Sequence, residues 1–171
     1  MEIINKSNYN ENDFKEVDLL NIEAEEARKS DNNLSLTLSK EAIGKAQLLG
    51  YSKGLAKAYL NAGISCRLSS TFEAAVEYYE EALKLNRSLD DKHSESRTLN
   101  ALANVYYCLS NFLKAIEYYD ECIFVLQSLG EINFEAVVLT NRGLSYQQYG
   151  DIRAALNNYI ESLSIYRSMN L

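Results

Sequence analysis

A pattern that recurs at a fixed interval constrains the fold of this chain more than any other feature of its sequence. Alanine occupies one place in the pattern at Ala75, Ala115 and Ala155, and tyrosine follows four residues later in each copy. A fixed period of about 40 residues lies within the range of roughly 20 to 50 that indicates a solenoid of repeated supersecondary units. Because one such unit cannot bury its apolar face alone, neighbouring units must stack.

Each repeat reads as two amphipathic helices, called helix A and helix B here, joined by a short polar turn. Small residues align in helix A at Gly63, Ala103 and Gly143. Small residues let two antiparallel helices approach closely, and the tyrosines of helix B fill the grooves around them. The chain also contains no proline, which favours uninterrupted helices. The sequence therefore predicts an all-α solenoid of four helix-turn-helix hairpins.

The repeats predict a single domain over residues 1–171. Its hairpins are expected at residues 12–50, 52–90, 92–130 and 132–170. The first hairpin is degenerate, because Ser35 and Ser39 stand where later repeats have alanine and tyrosine. Terminal repeats of a solenoid are often atypical.

These aligned positions resemble the tetratricopeptide repeat family over residues 57–166. The usual repeat of that family has about 34 residues and ends in proline, whereas this repeat is longer and lacks proline. The chain is thus similar to the long-repeat subgroup, which includes LGN/Pins-type adaptors, kinesin light chains and bacterial signalling proteins. The resemblance implies a right-handed α-solenoid whose A helices line a concave groove that binds a peptide or a helix of a partner protein.

The repeat register assigns ten side chains of the A helices to this groove: Lys57, Asn61, Arg67, Arg97, Asn100, Asn104, Tyr107, Asn141, Gln147 and Gln148. Asparagine can satisfy both the N–H and the C=O of a peptide backbone, and arginine can bind a carboxylate through two parallel hydrogen bonds. A polar, mildly basic groove predicts an acidic peptide as the ligand. The alternative is that these are ordinary solvated helix positions.

Binding of chaperone C-termini is not expected, because Leu20 and Ala24 replace the first residues of the carboxylate clamp of the chaperone-binding subgroup.

Charge and composition exclude several classes of partner and location. The net charge is −7, which argues against a nucleic-acid partner. No apolar run approaches the roughly 20 residues of a membrane span, and the first residues do not resemble a secretion signal. Cys66, Cys108 and Cys122 show no CxxC spacing. Their odd number, without a secretion signal, favours a reducing, cytoplasmic environment. Cys122 aligns with Ala82 and Ser162 and is expected to be a small core residue.

No combination of residues points to catalysis, a cofactor or a metal. His93 is the only histidine, which excludes a catalytic triad and a zinc site with several histidines. Within each of the acidic pairs Glu25-Glu26 and Glu80-Glu81, the two side chains point about 100° apart on a helix. The two carboxylates of a pair therefore do not share one site. The sequence also contains no glycine-rich phosphate loop. We therefore predict a protein that is not an enzyme.

The leading functional prediction is a protein-interaction scaffold. One alternative is a regulatory or sensory segment of a longer bacterial signalling enzyme, either a histidine kinase or a diguanylate cyclase, because such enzymes often carry similar arrays. Another is a protein that binds response regulators, as the Rap phosphatases do. The Rap phosphatases, however, carry a helical bundle before their repeats.

The last helix is apolar on more than one side, with Leu156, Tyr159, Ile160, Leu163, Ile165 and Tyr166. A terminal repeat requires a polar outer face. We therefore expect either that the protein continues beyond Leu171 or that two chains form a homodimer through this helix.

Overall fold

The computed structural model describes residues 11–169, and these form eight α-helices without a strand. The helices are α1 (Glu11–Ala27), α2 (Asn32–Leu49), α3 (Ser52–Leu68), α4 (Phe72–Ser88), α5 (Lys92–Cys108), α6 (Phe112–Leu129), α7 (Ile132–Tyr149) and α8 (Ile152–Ser168).

Six helix junctions use one residue in the left-handed backbone conformation, and these residues recur at a constant interval. They are Gly50, Ser70, Asp90, Ser110, Gly130 and Gly150. The next residue often caps the following helix: Asp91 accepts from the Ser94 N–H at 3.0 Å, and Asp151 accepts from the Ala154 N–H at 2.9 Å. Such a side chain satisfies a backbone donor that the first turn of a helix leaves free. The junctions therefore define each hairpin without proline.

The helices form two compact units, and the first, unit 1, is Met1–Leu89 with helices α1 to α4. Much of its interior is small or polar. Ser35, Ser39 and Ser65 are all fully buried. The Ser35 hydroxyl donates to the Ala24 carbonyl at 2.7 Å and lies 2.9 Å from the Ser65 hydroxyl. The degenerate hairpin thus replaces the packing of alanine and tyrosine with hydrogen bonds.

The second unit, unit 2, is Asp90–Leu171 with helices α5 to α8. Large apolar side chains fill much of its interior, and they include Leu99, Leu102, Leu126 and Leu139. The boundary of a single domain over residues 1–171 stays a prediction.

Cys122 belongs to the core of unit 2, as the sequence predicts. Its side chain is fully buried, and its thiol donates to the Ser96 carbonyl at 3.1 Å. Burial raises the pKa of this thiol to about 12. Because the thiolate is the reactive form of cysteine, Cys122 is inert near neutral pH.

At two glycines of the A helices, a tyrosine ring of helix B lies directly against the backbone. A Cβ atom added at Gly63 would overlap the ring of Tyr79, and one added at Gly143 would lie 2.5 Å from the ring of Tyr159. The close approach of the two helices of a hairpin, which the repeat predicts, therefore has a specific steric cause.

Candidate peptide-binding faces

In unit 2, helices α5 and α7 are in direct contact, and their equivalent positions form one face. Arg97 and Asn104 lie two turns apart on α5, and Val137 and Leu144 occupy the same register positions on α7. Val137 is 41% exposed and Leu144 is 40% exposed. This face, called the unit 2 face, therefore combines a polar stripe on α5 with an apolar stripe on α7.

The polar stripe offers hydrogen-bonding groups of both kinds. Asn104 Oδ1 accepts from the Tyr119 hydroxyl at 2.7 Å, which leaves the amide N–H groups of Asn104 as donors. Burial raises the pKa of Tyr119, so this hydroxyl keeps its proton. Asn100 Oδ1 is buried and accepts from no group of residues 11–169. Arg97 is exposed and forms no ion pair within the part of the chain that the structure describes.

Arg97 also lines a cavity of about 260 Å³ where the N-terminal ends of α5 and α7 meet the C-terminal part of α6. In this cavity His93 Nδ1 lies 3.5 Å from Glu131 Oε1. Pockets for cofactors and drug-sized molecules have volumes of roughly 300 to 1,000 Å³, so the cavity suits one side chain better than a cofactor. Its other lining residues are Ser96, Leu126 and Phe134.

The remaining predicted residues of unit 2 have different surroundings. Asn141 is half-buried on α7, and Gln148 is exposed. Gln147 Oε1 accepts from the Tyr159 hydroxyl at 2.9 Å, which ties Gln147 to α8. Tyr107 is half-buried, and its ring meets that of Phe112 edge to face with centroids 5.6 Å apart.

In unit 1, Asn61 is an interior residue, which corrects the prediction that it lines an open groove. Its side chain is 1% exposed. Asn61 Nδ2 donates to the Asn21 carbonyl at 3.1 Å, and Asn61 Oδ1 accepts from Arg28 at 3.5 Å. Asn21 is itself buried and donates to the Gly54 carbonyl. An amide held in this way stabilises the contact between α1 and α3 and has no free face for a peptide.

Lys57 forms an ion pair with Glu25 at 3.3 Å, so a carboxylate of unit 1 already balances its charge. Unlike Lys57, two arginines near Tyr79 are not balanced by a carboxylate. Burial raises the pKa of Tyr79 to about 12, and the guanidiniums of Arg67 and Arg28 offset part of this rise. Neither arginine forms an ion pair with any residue of the described range. Arg28 and Arg67 therefore make the basic patch of unit 1.

Sequence reasoning missed several of these residues. Val137 and Arg97 hold equivalent positions in successive repeats, so the repeat register alone was enough to find Val137. Arg28 falls in the degenerate hairpin, where the register is weak. The cavity combines residues from three helices, and no spacing in the sequence brings these residues together.

Comparison with known protein families decides the classification. The family model described as "Tetratricopeptide repeat" matches residues 54–128 and 94–168. The chain belongs to the tetratricopeptide repeat family. The two matches cover the three later hairpins of this tetratricopeptide array and leave the first unmatched, in agreement with its degenerate sequence. A search of curated proteins found no significant match.

Solved structures confirm the all-α solenoid fold of the tetratricopeptide array. BtubC from P. vanneervenii is similar with a TM-score of 0.85 and 20% identity, over 90% of this chain and 64% of that protein. Aspartyl phosphate phosphatase F from Bacillus subtilis has a TM-score of 0.85 and 13% identity, over 95% of this chain and 43% of that one. The N-terminal domain of stress-induced protein-1 from C. elegans has a TM-score of 0.60 and 21% identity, over 68% of this chain and 87% of that domain. This chain thus spans less than two thirds of the first two proteins.

Two further properties concern residues 11–169 of the tetratricopeptide array. None of the helices there combines the length and the apolar composition needed to cross a membrane. No group of histidine, cysteine, aspartate and glutamate in that range is arranged to hold a metal ion.

Proposed function

We propose that this chain is a protein-interaction scaffold that binds an acidic peptide segment on the unit 2 face. The observation that carries the proposal is Arg97, an exposed guanidinium that lines a cavity and has no carboxylate partner among the described residues. An unpaired arginine beside a cavity of side-chain size is suited to a carboxylate, which it can bind with two hydrogen bonds.

The rest of the face supports an ordered peptide over an isolated anion. Asn104 offers amide donors on the same stripe as Arg97, and Asn141 lies on the neighbouring helix. These groups can pair with a peptide backbone. Val137 and Leu144 add exposed apolar surface that an apolar side chain of the peptide would cover. The proposed ligand therefore has an acidic residue and a nearby apolar one.

The experiment selects ligands from a displayed library of acidic peptides and measures their affinity by titration calorimetry. Arg97→Glu is expected to weaken binding by more than about tenfold, because it opposes the ligand carboxylate with a like charge. Asn141→Ala should weaken binding less and leave the melting temperature unchanged. Arg153→Glu, the same charge reversal at an exposed residue of α8, is the matched control. Peptides that bind Arg97→Glu as well as the original protein would contradict the proposal.

A second proposal, self-association through α8, rests on its exposed apolar stripe. Leu156 and Ile160 are each 56% exposed and Leu163 is 47% exposed, at spacings that align them on one side of the helix. A contiguous apolar stripe of this kind is typical of an interaction surface. Sedimentation velocity at micromolar concentration tests this proposal, because a strict monomer would contradict it.

Location in the cytoplasm, the absence of catalytic activity, and the two signalling alternatives stay predictions. Leu20 and Ala24, which replace the chaperone clamp, are buried apolar residues, and this supports a ligand other than a chaperone C-terminus.

A further inference from the structure

The contact between α6 and α7 inside unit 2 shows how an outer B-helix face is covered in this protein. Ile116 and Ile123 on α6 are each only 6% exposed. Their equivalents one repeat later on α8 are Leu156 and Leu163, and these are 56% and 47% exposed. Helix α6 packs against both α5 and α7, whereas α8 packs against α7 alone among the described helices of unit 2. The helix that covers the stripe on α6 is therefore an A helix.

Helix α1 is also an A helix, and the face that on α7 packs against α6 is exposed on α1. Leu139 on α7 is 1% exposed. Its equivalent three repeats earlier is Leu19 on α1, which is 54% exposed, and the neighbouring Ile22 is 46% exposed. Among residues 11–169, the faces on α1 and α8 are thus apolar and exposed, and they correspond to the two sides of the α6–α7 contact.

One residue pair argues that these two faces match each other. Arg142 on α7 forms an ion pair with Asp120 on α6. The equivalent of Asp120 on α8 is Ile160, and the equivalent of Arg142 on α1 is Ile22. An opposite-charge pair in the internal contact is therefore replaced by isoleucine on both sides. Replacement on one side only would leave a charge facing an apolar surface, which is costly when buried.

The charges of the two helices are also complementary. Helix α1 contains seven carboxylates and one lysine, and helix α8 contains two arginines and one glutamate. Opposite net charge favours the approach of these two surfaces over the pairing of two α8 helices, which have the same charge.

We infer that the occupant of the α8 stripe is the α1 face of a second copy of this chain. The inference builds on the proposed self-association and names its partner surface. Leu19 and Ile22 of one copy lie against Leu156, Ile160 and Leu163 of the next, in the register of the α6–α7 contact. A contact between two different surfaces leaves one of each free, so the assembly grows beyond a dimer unless it closes into a ring.

The experiment compares two charge variants by sedimentation velocity across micromolar concentrations. Ile160→Asp and Ile22→Arg should each weaken association by more than about tenfold, because each places a charge in an apolar contact. An equimolar mixture of the two variants restores the pair of charges found at Asp120 and Arg142. In the mixture the two changed surfaces form the charged pair, and the two unchanged surfaces form the original apolar contact. The mixture is therefore expected to associate as the original chain does, with the two variants in alternation.

Phe124→Asp is the matched control, because Phe124 is 75% exposed on α6 and lies outside both faces. It should leave association unchanged. Circular dichroism verifies that each variant is folded, which is expected at exposed positions. Lys15→Glu gives a second readout. In the same register Lys15 faces Arg167, as Glu135 faces Gln127 at 2.7 Å, so this change should tighten association.

The outcomes distinguish this inference from the broader proposal. Association that Ile160→Asp abolishes and Ile22→Arg leaves intact would overturn the α1–α8 contact and retain self-association through α8. A mixture that stays monomeric while the original chain associates would also overturn it. A strictly monomeric original chain would overturn both.

Discussion

Units 1 and 2 share the same repeat pattern, but equivalent residues in the two units have different surroundings. Asn61 in unit 1 and Asn141 in unit 2 occupy equivalent positions. Asn61 is buried with its amide bonded to Asn21, whereas Asn141 is half-buried at the surface. One repeat before Asn61 the same position holds Asn21, but one repeat before Asn141 it holds Ala101, which has no polar side chain. The residue at the same position of the preceding repeat therefore decides whether an asparagine is held in the interior or can bind a ligand.

The tyrosines of the two units show the same contrast. Tyr79 in unit 1 is fully buried, and its hydroxyl has no hydrogen-bond partner within residues 11–169. Tyr119 in unit 2 is also buried but donates to Asn104 at the surface. At these equivalent positions unit 1 keeps its polar groups inside, and unit 2 directs them to the face that we propose binds a ligand.

The largest difference is expected between Gly63→Ala and Gly143→Ala. The added methyl group at Gly63 overlaps the ring of a fully buried tyrosine, so we expect a loss of about 3 kcal/mol from overpacking. At Gly143 the ring belongs to Tyr159, which is half-buried and can move outward. There the helix propensity of alanine offsets the strain. Chemical denaturation measures both changes, and equal losses would remove this distinction between the units.

The next difference is expected between Asn61→Ala and Asn141→Ala. Asn61 Nδ2 donates to the buried Asn21 Oδ1 at 3.3 Å, and removal of the Asn61 amide takes this donor away. We expect the change to lower the free energy of unfolding by about 2 kcal/mol. Asn141→Ala should change it by less than about 0.5 kcal/mol. If Asn141→Ala proved as destabilising as Asn61→Ala, Asn141 would be structural and the unit 2 face would lose one of its proposed ligand contacts.

The smallest difference concerns Tyr119→Phe and Tyr79→Phe. Tyr119→Phe removes the hydrogen bond to Asn104 and should cost about 1 kcal/mol at neutral pH, whereas Tyr79→Phe should cost close to nothing. Burial raises the pKa of Tyr79 from 10.0 to about 12, so the folded state favours the neutral phenol. The stability that this gives is complete below pH 10 and is lost as the pH rises through about 12.

The free energy of unfolding, measured between neutral and alkaline pH, checks whether stability falls as the pH rises. Tyr79→Phe should flatten the alkaline loss of stability, and Tyr79→Phe with an unchanged alkaline profile would contradict the assignment.

Sequence reasoning could predict the helices and their junctions because the signals are local. Turn residues, small residues and tyrosines recur at a fixed spacing, and Ser35 and Ser39 are buried where the register places them. The site was less predictable. Burial of Asn61 depends on Asn21, which belongs to the hairpin with the weakest repeat signal. The lining of the cavity comes from three helices that meet only in the folded unit. The spacing of residues within one helix therefore cannot predict it.

The regular interval between left-handed junction residues has a consequence for how the length of this protein can change. From Gly50 to Gly150 such a residue stands at every junction with equal spacing, and small, aromatic and capping positions keep the same interval. Loss of one residue within a helix rotates every later side chain of that helix by about 100°, which separates the apolar face from its partner. Loss or duplication of one whole repeat instead brings an equivalent residue to every place. Viable insertions and deletions should therefore come in whole repeats, so the array can lengthen by copying a hairpin but tolerates few smaller changes.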